Sequence, residues 1–128
     1  MKKVGERLLS PRVIASIKYA SGYERTLEHL KVWKLVLPEA VKETEVSLPQ
    51  SGEPQLGTQL FLYQHIPQMK FHNPKLKVLV YENDGSQSYL RFRLHHSSTQ
   101  QLVEVETTGL THHQIKEKLE NMDWSDPT

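Results

Sequence analysis

The sequence predicts an α/β domain with a mixed sheet of about four strands, flanking helices and a basic helical extension at its N-terminus. Three observations support this prediction. Strand-type segments occur at residues 44–48 and 75–82. Two further strand-type segments, 89–95 and 102–107, have side chains that complement each other when the two are paired. A capped amphipathic helix follows at 112–122. The chain has 128 residues, of which 37% are hydrophobic, so one domain with a modest core is expected.

The composition argues against several function classes. The chain contains no cysteine, which removes disulfides, thiolate metal sites and a cysteine nucleophile. It contains no apolar run of about 20 residues that could cross a membrane. The formal net charge of +1 is lower than expected for a protein fully embedded in nucleic acid.

Residues 1–25 form a predicted basic extension. The helix predicted over residues 11–21 begins with Ser10-Pro11 as cap and first residue, and Gly22 ends it. Residues 1–22 contain one acidic residue, Glu6, and five basic ones: Lys2, Lys3, Arg7, Arg12 and Lys18. This composition is typical both of a mitochondrial import signal and of a basic surface helix, and the two interpretations stay open.

The next segments are predicted from residue type and alternation. β-Branched and aromatic residues favour a strand over residues 29–37, although the spacing of Leu27, Leu30 and Lys34 also permits a helical turn. Pro38-Glu39 predicts a turn. Apolar and polar residues alternate through residues 44–48, as in a half-buried strand. Proline, glycine and serine then predict a loop at 49–54.

A helix and a strand are predicted in the middle of the chain. Apolar residues recur at helical spacing from Leu56 to Ile66, where the helix is expected to end because Pro67 disfavours a helical conformation in the residue before it. Residues 75–82 are predicted to form a strand, followed by a turn at 83–86.

Residues 89–95 and 102–107 are predicted to pair as an antiparallel hairpin around a loop at 96–101. One register sets apolar residues opposite apolar ones and arginines opposite glutamates. Its pairs are Leu94 with Val103, Phe92 with Val105, Arg93 with Glu104, and Arg91 with Glu106.

The last helix is predicted over residues 112–122. Thr111 and Gln114 have the spacing of a capping box at its start. One apolar stripe runs along it, made of Ile115, Leu119 and Met122. The polar tail at 123–128 contains Trp124, a candidate anchor into a neighbouring molecule.

The order strand, helix, strand, hairpin, helix resembles a thioredoxin-like domain. Within about residues 41–122, the sequence is similar in identity and spacing to a family of mitochondrial ribosomal proteins that includes an accessory subunit of respiratory complex I. The similar segments are Ile66-Pro67-Gln68, Asn73-Pro74, Tyr89-Leu90-Arg91-Phe92 and Leu102-Val103-Glu104-Val105-Glu106-Thr107. The small-subunit member is the most similar, although Lys70-Phe71-His72-Asn73-Pro74 also resembles a large-subunit member.

The resemblance implies a thioredoxin-like domain at residues 26–122 without redox chemistry, followed by a tail at 123–128. It implies a structural protein of the ribosome in the mitochondrial matrix, in contact with rRNA and neighbouring ribosomal proteins. No enzyme activity, cofactor, metal, small-molecule substrate or membrane is implied. Two alternatives stay open: an accessory subunit of complex I, which the absence of cysteine disfavours, and a degenerate thioredoxin-like binding or chaperone domain.

RNA binding requires cations for phosphates and flat side chains for stacking. Two groups of residues supply candidates. The first is Lys2, Lys3, Arg7 and Arg12 in the extension, and the second is Lys70, His72, Lys75 and Lys77 around Asn73-Pro74. A basic helix that folds onto its own domain is the alternative for the first group, and an ordinary solvated loop is the alternative for the second.

Two other candidates are assigned structural roles. Arg91 and Arg93 share a strand face with Tyr89, as in an RNA-stacking platform, but the predicted register favours ion pairs with the neighbouring strand. The pairs His95-His96 and His112-His113 suggest zinc, but adjacent strand residues point to opposite faces and no cysteine completes a ligand set.

Overall fold

A computed structural model describes residues 5–9, 27–97 and 99–124 of the chain. These residues form an α/β structure, as predicted, in which five strands make one mixed sheet. The strands are β1 (Glu6–Leu8), β2 (Val41–Pro49), β3 (Lys77–Asn83), β4 (Tyr89–His95) and β5 (Gln100–Glu106). The helices are α1 (Leu27–Val32), α2 (Leu56–Leu60), α3 (Ile66–His72) and α4 (His112–Glu120), and a π turn (Phe61–His65) joins α2 to α3 into one run, the long helix.

The strand order in the sheet is β1-β3-β2-β4-β5. β2 lies at the centre, parallel to β3 and antiparallel to β4, while β1 and β5 are added antiparallel at the two edges. The prediction of about four strands missed β1, which lies in the predicted extension. The helix predicted over residues 11–21 lies outside the described residues.

The core lies between the sheet and a layer of helices. α1 contacts α3, and α4 contacts α2 and the π turn, so the helices pack together on one side. Large side chains from both layers are fully buried there, among them Val46, Phe61, Met69, Leu90, Phe92, Ile115 and Leu119. None of the helices in the described part of the chain has the length and apolar character needed to cross a membrane.

The strand predicted over residues 29–37 is wrong, because this segment contains α1 followed by irregular backbone. Its backbone carbonyl and N–H groups form hydrogen bonds with two side chains, one in the long helix and one directly after it, and not with a neighbouring strand. The Gln68 side chain donates to the carbonyl of His29 at 2.9 Å, and the Asn73 side chain binds the carbonyl of Leu35 and the N–H of Leu37. These bonds join residues more than 35 positions apart, which local strand propensity does not detect.

The long helix continues through Pro67 to His72, so its predicted end at Ile66 is wrong. The Ile66 N–H donates to the carbonyl of Phe61, five residues earlier, as in a π turn. The α-helical hydrogen bonding then begins again, with Pro67 in the first turn of α3. A proline at that position is tolerated because an N–H in the first turn has no partner within its own helix.

β2 is a strand, as predicted, but it is not half-buried. Thr44, Glu45, Val46 and Ser47 are all buried. The reason is that β2 is paired on both sides and that its polar side chains are covered by partners, as described below.

The hairpin of β4 and β5 is confirmed, but its predicted register is wrong by two residues. Phe92 lies opposite Val103, and Arg91 lies opposite Glu104. The loop is tighter than expected, since the His96 N–H donates to the Thr99 carbonyl at 2.9 Å. A shift of two residues keeps every side chain on its predicted face.

The start of α4 agrees with its predicted capping box, in which Thr111 and Gln114 bind each other's backbone N–H. The predicted apolar stripe is also confirmed, since Ile115 and Leu119 are buried and Met122 packs against the core. Trp124, predicted as an anchor into a neighbour, is half-buried and packs against the protein's own Phe92, with ring centroids 5.0 Å apart.

Candidate functional site

Polar and charged side chains gather at two separate places on the domain. The first is the face of the sheet turned away from the helices, where Glu6, Glu43, Glu45, Arg91 and Arg93 meet; we call it the charged face. The second is formed by residues 31–36 and 70–77, where the long helix ends; we call it the basic end. The two places differ in whether their charges are neutralised within the chain.

The charged face is a continuous set of ion pairs. Arg91 lies between two carboxylates, 2.7 Å from Glu6 and 3.0 Å from Glu45. Arg93 contacts Glu45 at 2.7 Å and Glu43 at 3.0 Å. Ser47 donates a further hydrogen bond to Glu6 at 2.7 Å. These contacts join β1, β2 and β4 across the sheet.

Burial gives this network its strength. The Glu45 side chain is 3% exposed and the Arg91 side chain 14% exposed, so little solvent screens their charges. Burial alone would lower the pKa of Arg91, but the hydrogen bond that Arg91 donates to Glu6 and the carboxylate charges raise it overall. Burial raises the pKa of Glu43, and so does its neighbour Glu45.

The expectation that Arg91 and Arg93 form ion pairs is confirmed, but the predicted partners on β5 are wrong. The carboxylates come from β2 and β1, because the observed register sets Glu45 beside Arg91 and Glu43 beside Arg93. With its arginines neutralised and further carboxylates at Glu104 and Glu106 on β5, this face is unsuited to phosphate binding.

The basic end is built by Asn73, which follows the long helix. Its Oδ1 accepts from the Leu37 N–H at 2.9 Å, and its Nδ2 donates to the carbonyls of Leu35 and Met69, both at 2.8 Å. One amide side chain thus ties the segment after α1 to the turn before β3. The two segments therefore lie together at one end of the domain.

The basic end combines exposed cations with exposed apolar side chains. Neither residues 29–38 nor residues 69–77 contain an acidic residue. The exposed lysines are Lys31, Lys34, Lys70, Lys75 and Lys77. Beside them in the sequence, Val32 is 76%, Val36 66% and Phe71 40% exposed. Cations next to flat or apolar side chains are the combination that single-stranded or loop RNA binds.

The structure brings the second predicted group to this end and assigns its members different roles. Lys70 donates through Nζ to the carbonyls of Pro74 (2.9 Å) and Leu76, so it also closes its own turn. Lys77 lies 3.9 Å from the Glu43 carboxylate, and Lys75 is exposed. Ring atom Nε2 of His72 is buried and has no hydrogen-bond partner among the described residues.

Of the first predicted group, the structure describes Arg7. It lies in β1 and forms an ion pair with Glu82 at 2.8 Å, so it holds an edge of the sheet. Lys2, Lys3 and Arg12 lie outside the described residues.

Lys31 and Lys34 were not predicted from the sequence as site residues. They lie in the segment whose residue types favour a strand. The helical spacing of Leu27, Leu30 and Lys34, which the sequence offers as the alternative, is the signal that indicates the helix and its exposed cations.

Two histidines form a pair between the π turn and α4, of which His65 is buried and His112 half-buried. His65 Nε2 lies 2.9 Å from His112 Nδ1, and His65 Nδ1 lies 2.6 Å from Gln68 Oε1. Because the Gln68 amide nitrogen donates to the His29 carbonyl, its oxygen faces His65, whose Nδ1 must carry the proton. His65 Nε2 then accepts from His112. Burial lowers the pKa of His65 to about 4, and that of His112 is lowered for the same reason.

Among the described residues, no group of three or more His, Asp or Glu side chains is arranged to hold a metal ion. His65 packs in the core beside Trp33 and Phe61, with ring centroids 5.6 Å from each, and stacks on His112 at 5.1 Å.

Comparison with known proteins identifies relatives. The model of the family "Mitochondrial ribosomal protein L51 / S25 / CI-B8 domain" matches residues 58–123. A rat (Rattus norvegicus) protein is 36% identical over 87 residues, which cover 68% of this chain and 50% of the relative. A Bos taurus protein is 35% identical over 83 residues (65% and 47%), and a Drosophila melanogaster protein is 34% identical over 67 residues (52% and 40%).

All three relatives are named small ribosomal subunit protein mS25. The chain spans about half the length of the relatives it matches. The matched family region contains most of the long helix, the turn at Asn73, strands β3 to β5 and α4.

Proposed function

The chain belongs to the mitochondrial ribosomal protein L51 / S25 / CI-B8 domain family, and from this premise we propose that it is a structural constituent of the small subunit of the mitochondrial ribosome. The observation that carries the proposal is its similarity to mS25 of three animals, at 34% to 36% identity. The family resemblance found in the sequence is confirmed by the same matches. The proposed location is the mitochondrial matrix, with rRNA and neighbouring ribosomal proteins as partners.

The proposed fold is thioredoxin-like for residues 26–122, with residues 1–25 as a basic extension and 123–128 as a tail. The strand arrangement supports this proposal. β2 and β3 are parallel and joined through the long helix, and the antiparallel hairpin of β4 and β5 continues the sheet on the other side of β2 before α4 follows.

The proposed role is not enzymatic. Reactive thiolates of redox enzymes lie at helix N-termini, and this chain has no cysteine. The first turn of the long helix is also covered: a Cβ built on Gly57 would lie 1.8 Å from the carbonyl oxygen of Leu110. Thr58, Ser88 and Thr107 fill the adjoining space with hydroxyls 2.8 to 3.0 Å apart. This packing leaves no room for a substrate above the helix start.

We assign rRNA contact to the basic end and to the basic extension. The supporting argument is charge: the lysines of the basic end have no acidic residue within their own segments, whereas the arginines of the charged face are neutralised. The proposed RNA-binding residues are Lys2, Lys3, Arg7, Arg12, Lys70, His72, Lys75 and Lys77, together with Lys31 and Lys34. Within this set, Arg7, Lys70 and Lys77 also have the intramolecular contacts described above.

Sedimentation tests the proposal. A mitochondrial lysate that contains the tagged protein is run on two sucrose gradients. In one, magnesium keeps the two ribosomal subunits joined; in the other, removal of magnesium separates them. We expect the tagged protein to sediment with the whole ribosome when magnesium is present and with the small subunit when magnesium is removed, and to be released by ribonuclease. Sedimentation with the large subunit would correct the subunit assignment. Migration with complex I, unaffected by ribonuclease, would replace the proposal with the alternative.

A charge-reversal variant tests the RNA surface separately. Lys34→Glu combined with Lys75→Glu changes two exposed cations of the basic end and should lower affinity for small-subunit rRNA at least tenfold. The slope of log affinity against log salt should fall by about one for each phosphate that the variant no longer binds. The matched control is Lys118→Glu on α4, which is exposed in the same way and should have no effect. Equal affinity of both variants would exclude the basic end from RNA binding.

A further inference from the structure

The two edges of the sheet differ in length and protection. β1 at one edge has three residues and carries Arg7, which is paired with Glu82. β5 at the other edge has seven residues, and in the described part of the chain it pairs with β4 alone. Its pairing with β4 is continuous over all seven residues. A long, regular edge strand presents unpaired backbone groups that another chain can bind.

The hydrogen bonds at the two ends of the hairpin show which backbone groups face outward. The Thr107 N–H donates to the Ser88 carbonyl, and the His96 N–H donates to the Thr99 carbonyl, both at 2.9 Å. In an antiparallel pair, bonded and non-bonded residue pairs alternate. Counting inward from these bonds, Val103 and Val105 belong to bonded pairs. The N–H and carbonyl groups of Leu102, Glu104 and Glu106 therefore point away from β4, toward the free edge.

The side chains of β5 protect this edge by negative charge alone. Gln100–Glu106 contains no proline and no lysine, two residues with which natural edge strands avoid pairing with other chains, and its charged residues are Glu104 and Glu106. Such an edge repels acidic segments but not basic ones. Leu102 is 50% exposed. Glu104 and Glu106 are exposed and form no ion pair with any described residue. The edge thus offers two exposed carboxylates and one apolar side chain at alternate positions on one face.

We propose that the β5 edge binds an extended, basic segment of another polypeptide as a sixth strand of the sheet. The partner segment would bind the outward backbone groups of β5 and place two lysine or arginine side chains, two residues apart, opposite Glu104 and Glu106. An apolar residue would cover Leu102. Backbone bonds supply affinity in this mode of recognition and alternate side chains supply specificity. RNA is not the occupant, since its phosphates would face these carboxylates.

The proposal does not depend on the ribosomal assignment, because the edge is separate from the basic end. Photo-crosslinking in the full-length protein inside mitochondria tests it. A photoreactive amino acid replaces Leu102, and a control protein carries it at Glu117, which is exposed on α4. We expect crosslinks from position 102 to a protein segment with alternating basic residues. Crosslinks to RNA, to a second copy of this chain or to its own residues 1–26 would overturn the proposal, as would a yield equal to that of the control.

Variants then test the backbone contribution. Glu104→Pro removes an outward N–H without removing a bond to β4, so the protein should remain folded while the crosslink falls at least tenfold. The combined change Glu104→Lys and Glu106→Lys keeps every backbone group and should produce the same loss by charge alone. Glu120→Lys on α4 is the matched control and should leave the crosslink unchanged. A crosslink that survives both β5 variants would contradict the proposal. If the crosslink is found and the protein does not sediment with ribosomes, the edge proposal stands and the ribosomal one fails.

Discussion

The charged face and the basic end use the same kinds of side chain to opposite effect. On the charged face, Arg91 and Arg93 are surrounded by carboxylates and partly removed from water. At the basic end, lysines such as Lys34 and Lys75 are exposed in segments without acidic residues. Charge that is paired and buried stabilises one arrangement of strands, whereas charge that is exposed and unbalanced is available to a partner.

The comparison is tested most strongly by Glu45→Ala. Glu45 is buried and contacts both arginines, so its removal leaves a guanidinium group in a poorly solvated place with one carboxylate fewer. Because Arg91 keeps Glu6 and Arg93 is half-exposed, we expect the free energy of unfolding to fall by about 3 kcal/mol, near the lower end for buried pairs. Denaturant titration measures it.

The control for this variant is Glu104→Ala, which removes an exposed carboxylate from the neighbouring strand. It should change the free energy of unfolding by less than about 0.5 kcal/mol. Equal effects of the two variants would show that burial does not distinguish these glutamates.

At the buried His65, in contrast, the charged form of the side chain is disfavoured. The pKa of His65 is about 4 in the folded protein, against 6.5 for the unperturbed group, chiefly because of burial and then the charges of Lys116, His112 and His29. A lowered histidine pKa contributes stability that is complete above about pH 6.5 and is lost as the pH falls toward 4.

We expect a loss of roughly 2 kcal/mol between pH 6.5 and 4.5 from His65, since one pKa unit corresponds to about 1.4 kcal/mol. The free energy of unfolding measured against pH tests this. In His65→Gln the slope over this range should be clearly smaller, whatever the absolute stability of the variant. An unchanged slope would assign the acid sensitivity to other groups.

The basic end itself depends on one uncharged side chain. Asn73→Ala removes the hydrogen bonds to Leu35, Leu37 and Met69. Since each such bond is worth about 1 kcal/mol or less net when water can replace it, we expect a loss of about 1.5 kcal/mol. Hydrogen exchange should also become faster at Leu37, whose N–H loses its acceptor. Asn73→Asp keeps the acceptor and should retain the protection of Leu37.

The smallest effect on stability is expected from the lysines. Lys34→Glu with Lys75→Glu should change the free energy of unfolding by less than about 0.5 kcal/mol, because both side chains are exposed and make no ion pair with a described residue. Thermal unfolding of this variant beside Glu45→Ala tests the comparison directly. A large loss from the lysine variant would mean that the basic end is a structural region and not a free binding surface.

Local patterns predicted the local elements. The capping box at Thr111 is complete within four residues and was predicted correctly. The hairpin faces were predicted as well, because alternation has a period of two. The same period cannot distinguish registers that differ by two residues, and the partners of Arg91 come from strands more than 40 residues away in the sequence. The register was therefore wrong although every face was right.

The sequence indicated only those residues of the basic end that are close together in the chain. Lys70, His72, Lys75 and Lys77 are close in the sequence, so their proximity needs no tertiary information. Lys31 and Lys34 join them through the hydrogen bonds of Asn73 to Leu35 and Leu37. No local pattern indicates those bonds.

The placement of β1 has a kinetic consequence. Glu6 binds Arg91, 85 positions away in the sequence, and Arg7 binds Glu82, 75 positions away. These contacts of β1 can therefore form only after β3 and β4 have joined the sheet. Contacts of such high sequence separation are costly to close early. Of the five described strands, β1 is synthesised first and is thus expected to join the sheet last. Weakening it, as in Glu6→Gln, should accelerate unfolding while leaving the folding rate nearly unchanged.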